Sequence, residues 1–380
     1  MALYALALMG APTDAEITEV EQNVSAMVEG FGLRLRHEIE WTVGQTALDL
    51  QQRTPTAIAF FGRGGQSTAG LDRLLRAGIP TIPVATSSQH ISSEIPAELK
   101  GINCLTYSGD GPLRIATALL ECVGLLPRQR RVFLSYRRSE ARQAALQLFD
   151  ALSARVFEVF LDTHGILPGE DFQAALWHRL CDSDVLVMLD TPEYFESRWT
   201  TAEYGRALAK GISVLRIGWP GVNPSKRTAT ASRVVLLDTE IDVPSGQISE
   251  EALERIACHL EKVRSQSHAV RSLNLFSNLK NGIKCIGGTI SGVGPHNAVH
   301  LLLPDDTAVV AYPTVGVPTS VTLNDAMDRA SGDSVAIVFD DIGLQPKWLN
   351  HLNWLGTRIP AAKWVKASEA AWSFGGWGTL

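Results

Sequence analysis

The chain has 380 residues, of which 45% are hydrophobic and 19% are charged, and its formal net charge at pH 7 is −6. This composition excludes a predominantly disordered chain, and the length exceeds what one hydrophobic core usually serves, so we expect two or three domains. The weakly acidic balance provides no basic surface for nucleic acid or for an anionic membrane, and we expect neither as a partner.

The first apolar run, MALYALALMG, is too short to span a bilayer and lacks a basic start. It predicts a buried strand at Leu3 to Met9 rather than a signal peptide or an anchor. Strand and helix patterns then alternate through residues 1–126. Strands are predicted at residues 33–41, 56–61, 79–84 and around Cys104, and helices at residues 14–29, 70–77 and 112–123.

This alternation predicts a doubly wound, Rossmann-like module with a mainly parallel sheet. The glycine-rich turn GRGGQST, residues 62–68, follows a predicted strand. It is a candidate for sensing a ligand or a partner, although it is neither a P-loop nor a G-x-G-x-x-G motif. The basic, proline-containing run at residues 126–131 predicts a linker.

Residues 130–265 repeat the same alternation, with an amphipathic helix at Ser249 to Val263 as the last element. The pattern predicts a second parallel, flavodoxin-like sheet. Its strands are predicted at residues 132–135, 156–161, 185–189, 212–217 and 234–237, and its other helices at residues 139–153, 171–181 and 192–211.

Residues 268–380 begin with a change of composition after Ser265 to Ser267 and predict a third α/β module, with a sensing or gating role suggested by its position. The tail GGWGTL either frays or docks through Trp377. Strands are predicted at residues 299–303, 308–312, 334–340 and 361–365, and helices at residues 323–330, 346–355 and 367–374.

The five cysteines are scattered, and no two of them form a C-x-x-C pair. An odd number at these spacings predicts neither a disulfide framework nor a zinc site. We therefore expect reduced thiols in a cytoplasmic protein, and no metal centre.

Four pieces of the central module together resemble a Toll/interleukin-1 receptor (TIR) domain of the bacterial, NAD-cleaving type. They are VFLSYRR at residues 132–138, DTHGILPGEDF at 162–172, DVLVMLDTPEYFESRW at 184–199 and WTTAE at 199–203. A mild departure is Asp190-Thr191 after the third strand, where members of the family often have serine.

The resemblance implies an NAD+ nucleosidase or cyclase that breaks the nicotinamide–ribose bond, with NAD+ as substrate and no separate cofactor. It places Glu203 at the catalytic carboxylate, Trp199 at the aromatic position one turn earlier, and Tyr136 and Arg137 along the substrate pocket. Ser135 and Asp162 are further candidate substrate-binding residues, with turn capping and loop ordering as their alternative roles. Residues 162–169 correspond to the loop through which neighbouring domains assemble.

The chemistry of these residue types agrees with that reading. Trp199 and Glu203 are four residues apart, so a helix places them on one face. Cleavage of an N-glycosidic bond develops oxocarbenium-like charge on the ribose, which a carboxylate stabilises. Nicotinamide leaves from a cationic pyridinium and needs no general acid, while an indole can stack on that cation and Arg137 can contact a phosphate.

Two other functions stay open at this point. A non-catalytic TIR scaffold would leave Glu203 exposed and away from any pocket. A nucleoside deoxyribosyltransferase-like enzyme would need a second carboxylate in the cleft. The resemblance further implies self-association and a role in antiphage defence, with an unknown trigger for the flanking modules.

Overall fold

The computed structural model of the protein describes residues 2–44, 54–65, 67–68, 70–161, 172–242, 245–330 and 334–378. The chain divides into two compact units. The first comprises Met1–Arg128 with Gly294–His296, and the second comprises Gln129–Val293 with Asn297–Leu380. The division into three modules, at 1–126, 130–265 and 268–380, remains a prediction.

The first unit contains a five-stranded parallel sheet in the order β2-β1-β3-β4-β5. This is the doubly wound order in which the sheet reverses direction between β1 and β3. The strands are β1 Tyr4–Gly10, β2 Ile39–Val43, β3 Thr56–Phe61, β4 Thr81–Ala85 and β5 Leu105–Thr106. The helices are α1 Asp14–Glu29, α2 Leu71–Arg76, α3 Ile91–Glu94 and α4 Gly111–Cys122.

Helix α1 starts with a capping box, in which the Thr13 hydroxyl accepts from the Glu16 amide and the Glu16 carboxylate accepts from the Thr13 amide. The strand predicted at Leu33 to Trp41 is wrong in its first half, since β2 begins at Ile39. Arg36 has a φ of +64°, a conformation that interrupts an extended run.

The second unit begins with another parallel sheet, in the order β10-β9-β8-β6-β7. Its strand order also reverses once, between β6 and β8, as the flavodoxin-like prediction requires. The strands are β6 Arg131–Ser135, β7 Glu158–Leu161, β8 Val185–Asp190, β9 Ser213–Gly218 and β10 Ser232–Val235. The helices are α5 Arg138–Ser153, α6 Phe172–Cys181 and α7 Arg198–Ala209, and a short antiparallel pair follows with β11 Ile241–Asp242 and β12 Gln247–Ile248.

Helix α8 Glu250–Cys285 is 36 residues long, so the predicted end of this helix at Val263 is wrong. Ser267 stays helical because its hydroxyl is hydrogen-bonded within the fold. The Ser267 hydroxyl donates to the Asp184 carbonyl at 2.6 Å and accepts from the Ser213 amide at 3.1 Å. The helix is therefore shared by the sheet before it and the sheet after it.

The third sheet has the order β13-β14-β15-β16-β17 and is mixed. The pairs β13–β14 and β14–β15 are antiparallel, whereas β15–β16 and β16–β17 are parallel. The strands are β13 Thr289–Val293, β14 Val299–Leu302, β15 Ala308–Thr314, β16 Ser334–Phe339 and β17 Ala362–Lys366. The helices are α9 Ser320–Ala330, α10 Pro346–Arg358 and α11 Ala370–Gly375.

Strand β13 lies in the glycine-rich stretch KCIGGTISGVGPHN, residues 284–297, and has no counterpart among the predicted strands. Of the two outcomes expected for the tail, docking is the observed one. Trp377 is 8% exposed and its ring stacks on Phe374 at a centroid distance of 5.3 Å. The prediction of α/β architecture with mainly parallel sheets is confirmed, with the third sheet mixed. Over the described residues, every helix falls short of the length or hydrophobicity that crossing a membrane requires.

Candidate active site

A pocket of about 650 Å³ opens at the carboxyl edge of the second sheet, where its strand order reverses. Open α/β sheets bind their ligands at this position, and the volume lies in the range of small-molecule sites. Helices α5 and α7 supply most of its wall. The lining residues are Tyr136, Arg137, Arg138, Ser139, Leu176, Ser197, Trp199, Thr200 and Glu203.

Helix α7 brings Trp199 and Glu203 to this pocket together. The Ser197 side chain caps the helix by accepting from the amides of Trp199 and Thr200. The cap fixes the first turn, and the four-residue spacing then aligns both side chains on one face. The pairing expected from WTTAE is thus realised in the fold.

The Glu203 carboxylate is buried, with 4% of the residue exposed. Its Oε2 accepts a hydrogen bond of 2.5 Å from the hydroxyl of Ser135, the last residue of β6. The Ser135 Oγ also lies 2.6 Å from the Tyr194 hydroxyl. Because Ser135 gives its one proton to Glu203, Tyr194 must be the donor in the second bond.

Tyr194 is fully buried, and that burial raises its pKa well above the usual value, with the nearby Glu203 charge adding to the effect. The phenol therefore stays protonated across the physiological range and remains a donor. The result is a directed chain from Tyr194 through Ser135 to Glu203, which orients the carboxylate toward the pocket.

Trp199 is 36% exposed, so it is not a buried aromatic residue of the hydrophobic core. The Arg198 guanidinium lies 4.6 Å from the centroid of its ring. The indole therefore already has a cation near one face, and the pocket contains an aromatic surface suited to a planar cationic group.

Arg137 lines the pocket while being held by the segment before α7. It forms an ion pair of 2.6 Å with Glu193, donates at 2.7 Å to the Glu193 carbonyl, and lies 3.5 Å from the Glu196 carboxylate. Tyr136 is 5% exposed and belongs to the hydrophobic core below the pocket. Ser135 is buried behind Glu203 instead of capping a turn.

Asp162 and the predicted assembly loop 162–169 lie outside the described residues. Tyr194 is the member of the site that sequence reasoning missed. It is 59 residues from Ser135 in the chain. The one feature of the sequence that could have indicated its role is its position within DVLVMLDTPEYFESRW.

The departure at Asp190-Thr191 has a structural role below the pocket. Asp190 forms a buried ion pair with Arg216 of β9, and the Thr191 hydroxyl donates to Glu140 at 2.6 Å. Burial raises the pKa of Asp190, an effect that Arg216 opposes. These two positions join β8, β9 and α5.

Comparison with known families decides what this part of the chain is. Residues 132–256 match the sequence model of the TIR domain family, a stretch that runs from β6 into the start of α8. Residues 132–256 are a TIR domain. The match confirms the predicted family, and the pocket with Glu203 lies within this TIR domain.

The other comparisons add little. The comparison with curated proteins found no match. Tagatose-6-phosphate ketose/aldose isomerase from Escherichia coli is 12% identical with a TM-score of 0.21, over 70% of this chain and 82% of that one. The C-terminal domain of glucosamine-fructose-6-phosphate aminotransferase from Francisella tularensis is 7% identical with a TM-score of 0.20, over 71% and 85% of the two chains. Scores this low carry no argument.

Proposed function

We propose that the TIR domain is an NAD+ nucleosidase or cyclase that cleaves the bond between nicotinamide and ribose, with Glu203 as the catalytic carboxylate. The observation that supports this most is a buried carboxylate, held by Ser135, that lines the same pocket as Trp199. A buried, oriented anion stabilises developing positive charge far better than a solvated one.

In the proposed reaction, the bond between ribose C1′ and the pyridinium nitrogen breaks, and its electron pair stays with nicotinamide. The ribose becomes oxocarbenium-like, and Glu203 faces that charge. Water, or a nitrogen of the adenine for a cyclic product, then attacks C1′ and loses a proton. Trp199 offers its ring to the leaving nicotinamide.

Arg137 is placed to meet the diphosphate of the substrate. Its contact with Glu196 is long, at 3.5 Å, and the Glu196 side chain is 69% exposed. Such an exposed pair contributes little, so a phosphate oxygen can take the place of Glu196 at low cost. The ion pair with Glu193 meanwhile keeps the guanidinium at the rim of the pocket.

The geometry does not favour the two other functions. The scaffold hypothesis expected an exposed Glu203 away from any pocket, whereas this residue is 4% exposed and lines one. The deoxyribosyltransferase hypothesis needs a second carboxylate in the cleft. Among the described residues that line this pocket, Glu203 is the acidic one.

TIR domains commonly self-associate, and we extend the proposal to activation of this chain by self-association in the cytoplasm. NAD+ depletion or a nucleotide signal would then serve antiphage defence, and the other parts of the chain would respond to a trigger. The proposal uses NAD+ as substrate and requires no separate cofactor.

The test is nicotinamide release from NAD+ by the purified full chain over a hundredfold range of protein concentration. The proposal predicts a specific activity that rises steeply with concentration and its loss in Glu203→Ala. Glu251→Ala, an exposed glutamate of α8, is the matched control and should keep full activity. Equal release by the wild type and Glu203→Ala would refute the assignment.

A further inference from the structure

A second cavity, of about 470 Å³, lies within the second unit at the carboxyl edge of the third sheet. Residues at the C-terminal end of each of the three parallel strands, or just after it, line this cavity. Thr314 to Gly316 come from β15, Asp340 to Ile342 follow β16, and Ala367 and Ser368 follow β17. The carboxyl edge of parallel strands is where α/β sheets bind ligands.

The opposite wall comes from the TIR domain and from α8. Leu208 to Gly211 form the end of α7 there, and α8 contributes Arg271, Asn274, Leu275 and Asn278. The cavity therefore contacts the last turn of the helix that carries Glu203. Among the residues that the structure describes, it shares no lining residue with the Glu203 pocket.

The charged side chains around this cavity already have partners inside the protein. Lys210 Nζ lies 2.9 Å from the Asp340 carboxylate and donates to the carbonyls of Asp340 and Ile342 at 2.8 and 2.9 Å. Asp341 pairs with Lys366 at 3.7 Å. Arg271 donates to the carbonyls of Ser183 and Cys181 at 2.9 and 3.2 Å.

These pairs discriminate against charged ligands. An anion would approach the Asp340 and Asp341 carboxylates, and a cation would approach Lys210 and Arg271. Lys210 and the two aspartates are already ion-paired, and Arg271 is buried and donates to backbone carbonyls. A neutral ligand meets neither penalty.

The uncharged lining is of two kinds. Asn274 and Asn278 are exposed amides one turn apart on α8, so they present paired donors and acceptors along one side. Leu208, Leu275 and Ile342 provide apolar surface. A ligand with a planar ring that packs on the apolar surface, and with hydroxyl and amide groups at its edge that bond to the two asparagines, matches this lining.

We propose that this cavity binds a neutral nucleoside, with its base on the apolar surface and its polar edge on Asn274 and Asn278. The site is separate from the proposed site of NAD+ cleavage, and its occupant contacts the C-terminal end of α7 beside Lys210. The inference concerns binding and does not depend on the domain being catalytic.

Calorimetric titration of the full chain with adenosine, guanosine, cytidine and uridine tests the proposal. The expected result is binding of at least one of them, weakened at least tenfold in Asn274→Leu/Asn278→Leu. Asn281→Leu changes the same residue type on the same helix at an exposed position outside the cavity, and it should stay within twofold of the wild type. The replaced amides are exposed, so a thermal unfolding curve like that of the wild type is expected for both variants.

The other outcomes each overturn the proposal. No binding of any nucleoside at millimolar concentration removes the ligand class. Unchanged affinity in the double variant places the nucleoside elsewhere, including the Glu203 pocket. Tighter binding of inorganic phosphate or adenosine monophosphate than of adenosine contradicts the requirement for a neutral ligand.

Discussion

Ser135 shows what a single hydroxyl contributes to this site. It ends a buried strand, donates to Glu203 and accepts from Tyr194, so it connects the sheet to the carboxylate. The sequence could predict Trp199 and Glu203 as a pair, because their spacing alone puts them on one helix face. It could not predict the Tyr194 contact, which depends on how the segment before α7 folds back over β6.

Replacing Ser135 with Ala should weaken the proposed activity without abolishing the fold. The loss of an oriented donor to a buried carboxylate should lower nicotinamide release by about 10- to 100-fold and the free energy of unfolding by about 1–3 kcal/mol. Tyr194→Phe keeps the Ser135–Glu203 bond and should have a smaller effect on release. Steady-state release and urea unfolding measure both quantities, and full activity in Ser135→Ala would contradict the orienting role.

Among the helices, α8 is held in place by buried polar contacts that cannot be recognised from its sequence. Arg264 is fully buried and binds Asp184 at 3.0 Å. The Ser267 hydroxyl bonds to the Asp184 carbonyl, just before β8, and to the Ser213 amide of β9. The sequence predicts an end at Val263, because these contacts depend on residues that are distant in the chain. The strand–helix alternation, by contrast, is visible in the sequence, because strands and helices differ in the spacing of their apolar residues.

Two arginines of α8 provide a matched comparison. Arg264→Ala leaves the buried Asp184 carboxylate without its guanidinium partner and should lower the free energy of unfolding by about 3–5 kcal/mol. Arg255→Ala removes a pair with Glu240 in which the arginine side chain is 44% exposed, and should cost about 0–1 kcal/mol. Urea denaturation measures both values, and equal losses would show that the Arg264 pair is not a stabilising contact of the helix.

His268 should make stability depend on pH. Burial and the nearby cations Arg271 and Arg264 lower its pKa to about 3. Between about pH 6.5 and pH 3 the unfolded chain binds a proton that the folded chain does not. Lowering the pH through this window therefore lowers the free energy of unfolding, by at most about 1.4 kcal/mol per pH unit from this residue. The wild type should lose more stability from pH 7 to pH 5 than His268→Gln does, and parallel losses would contradict the assignment.

At the scale of the whole molecule, the TIR domain and the third sheet belong to one compact unit. They are joined by α8, by the Lys210–Asp340 pair and by a hydrogen bond of 3.0 Å from the Val317 amide to Asp182. A domain boundary near residue 267 remains a prediction from the change of composition, and α8 runs through that point as one helix. The antiparallel edge of the third sheet was hidden in the sequence, since strand direction depends on pairing.

Cutting the chain at the predicted boundary should therefore cost stability. A chain of residues 1–267 loses Arg271 and its bonds to the carbonyls of Ser183 and Cys181, and it exposes the side of α7 that Asp340 covers. Its TIR domain should unfold at a lower temperature than that of the full chain, as followed by circular dichroism. An unchanged midpoint for that domain would mean that the third sheet is energetically independent of it.

The proposed role of Glu203 is to stabilise the transition state of NAD+ cleavage. Glu203→Gln keeps the size and the acceptor oxygen while it removes the charge, so it separates substrate binding from chemistry. NAD+ binding to this variant should stay within about tenfold of the wild type, while nicotinamide release at saturating NAD+ should fall by about a thousandfold, equivalent to about 4 kcal/mol of barrier. Release at the wild-type rate from the saturated variant would contradict the account.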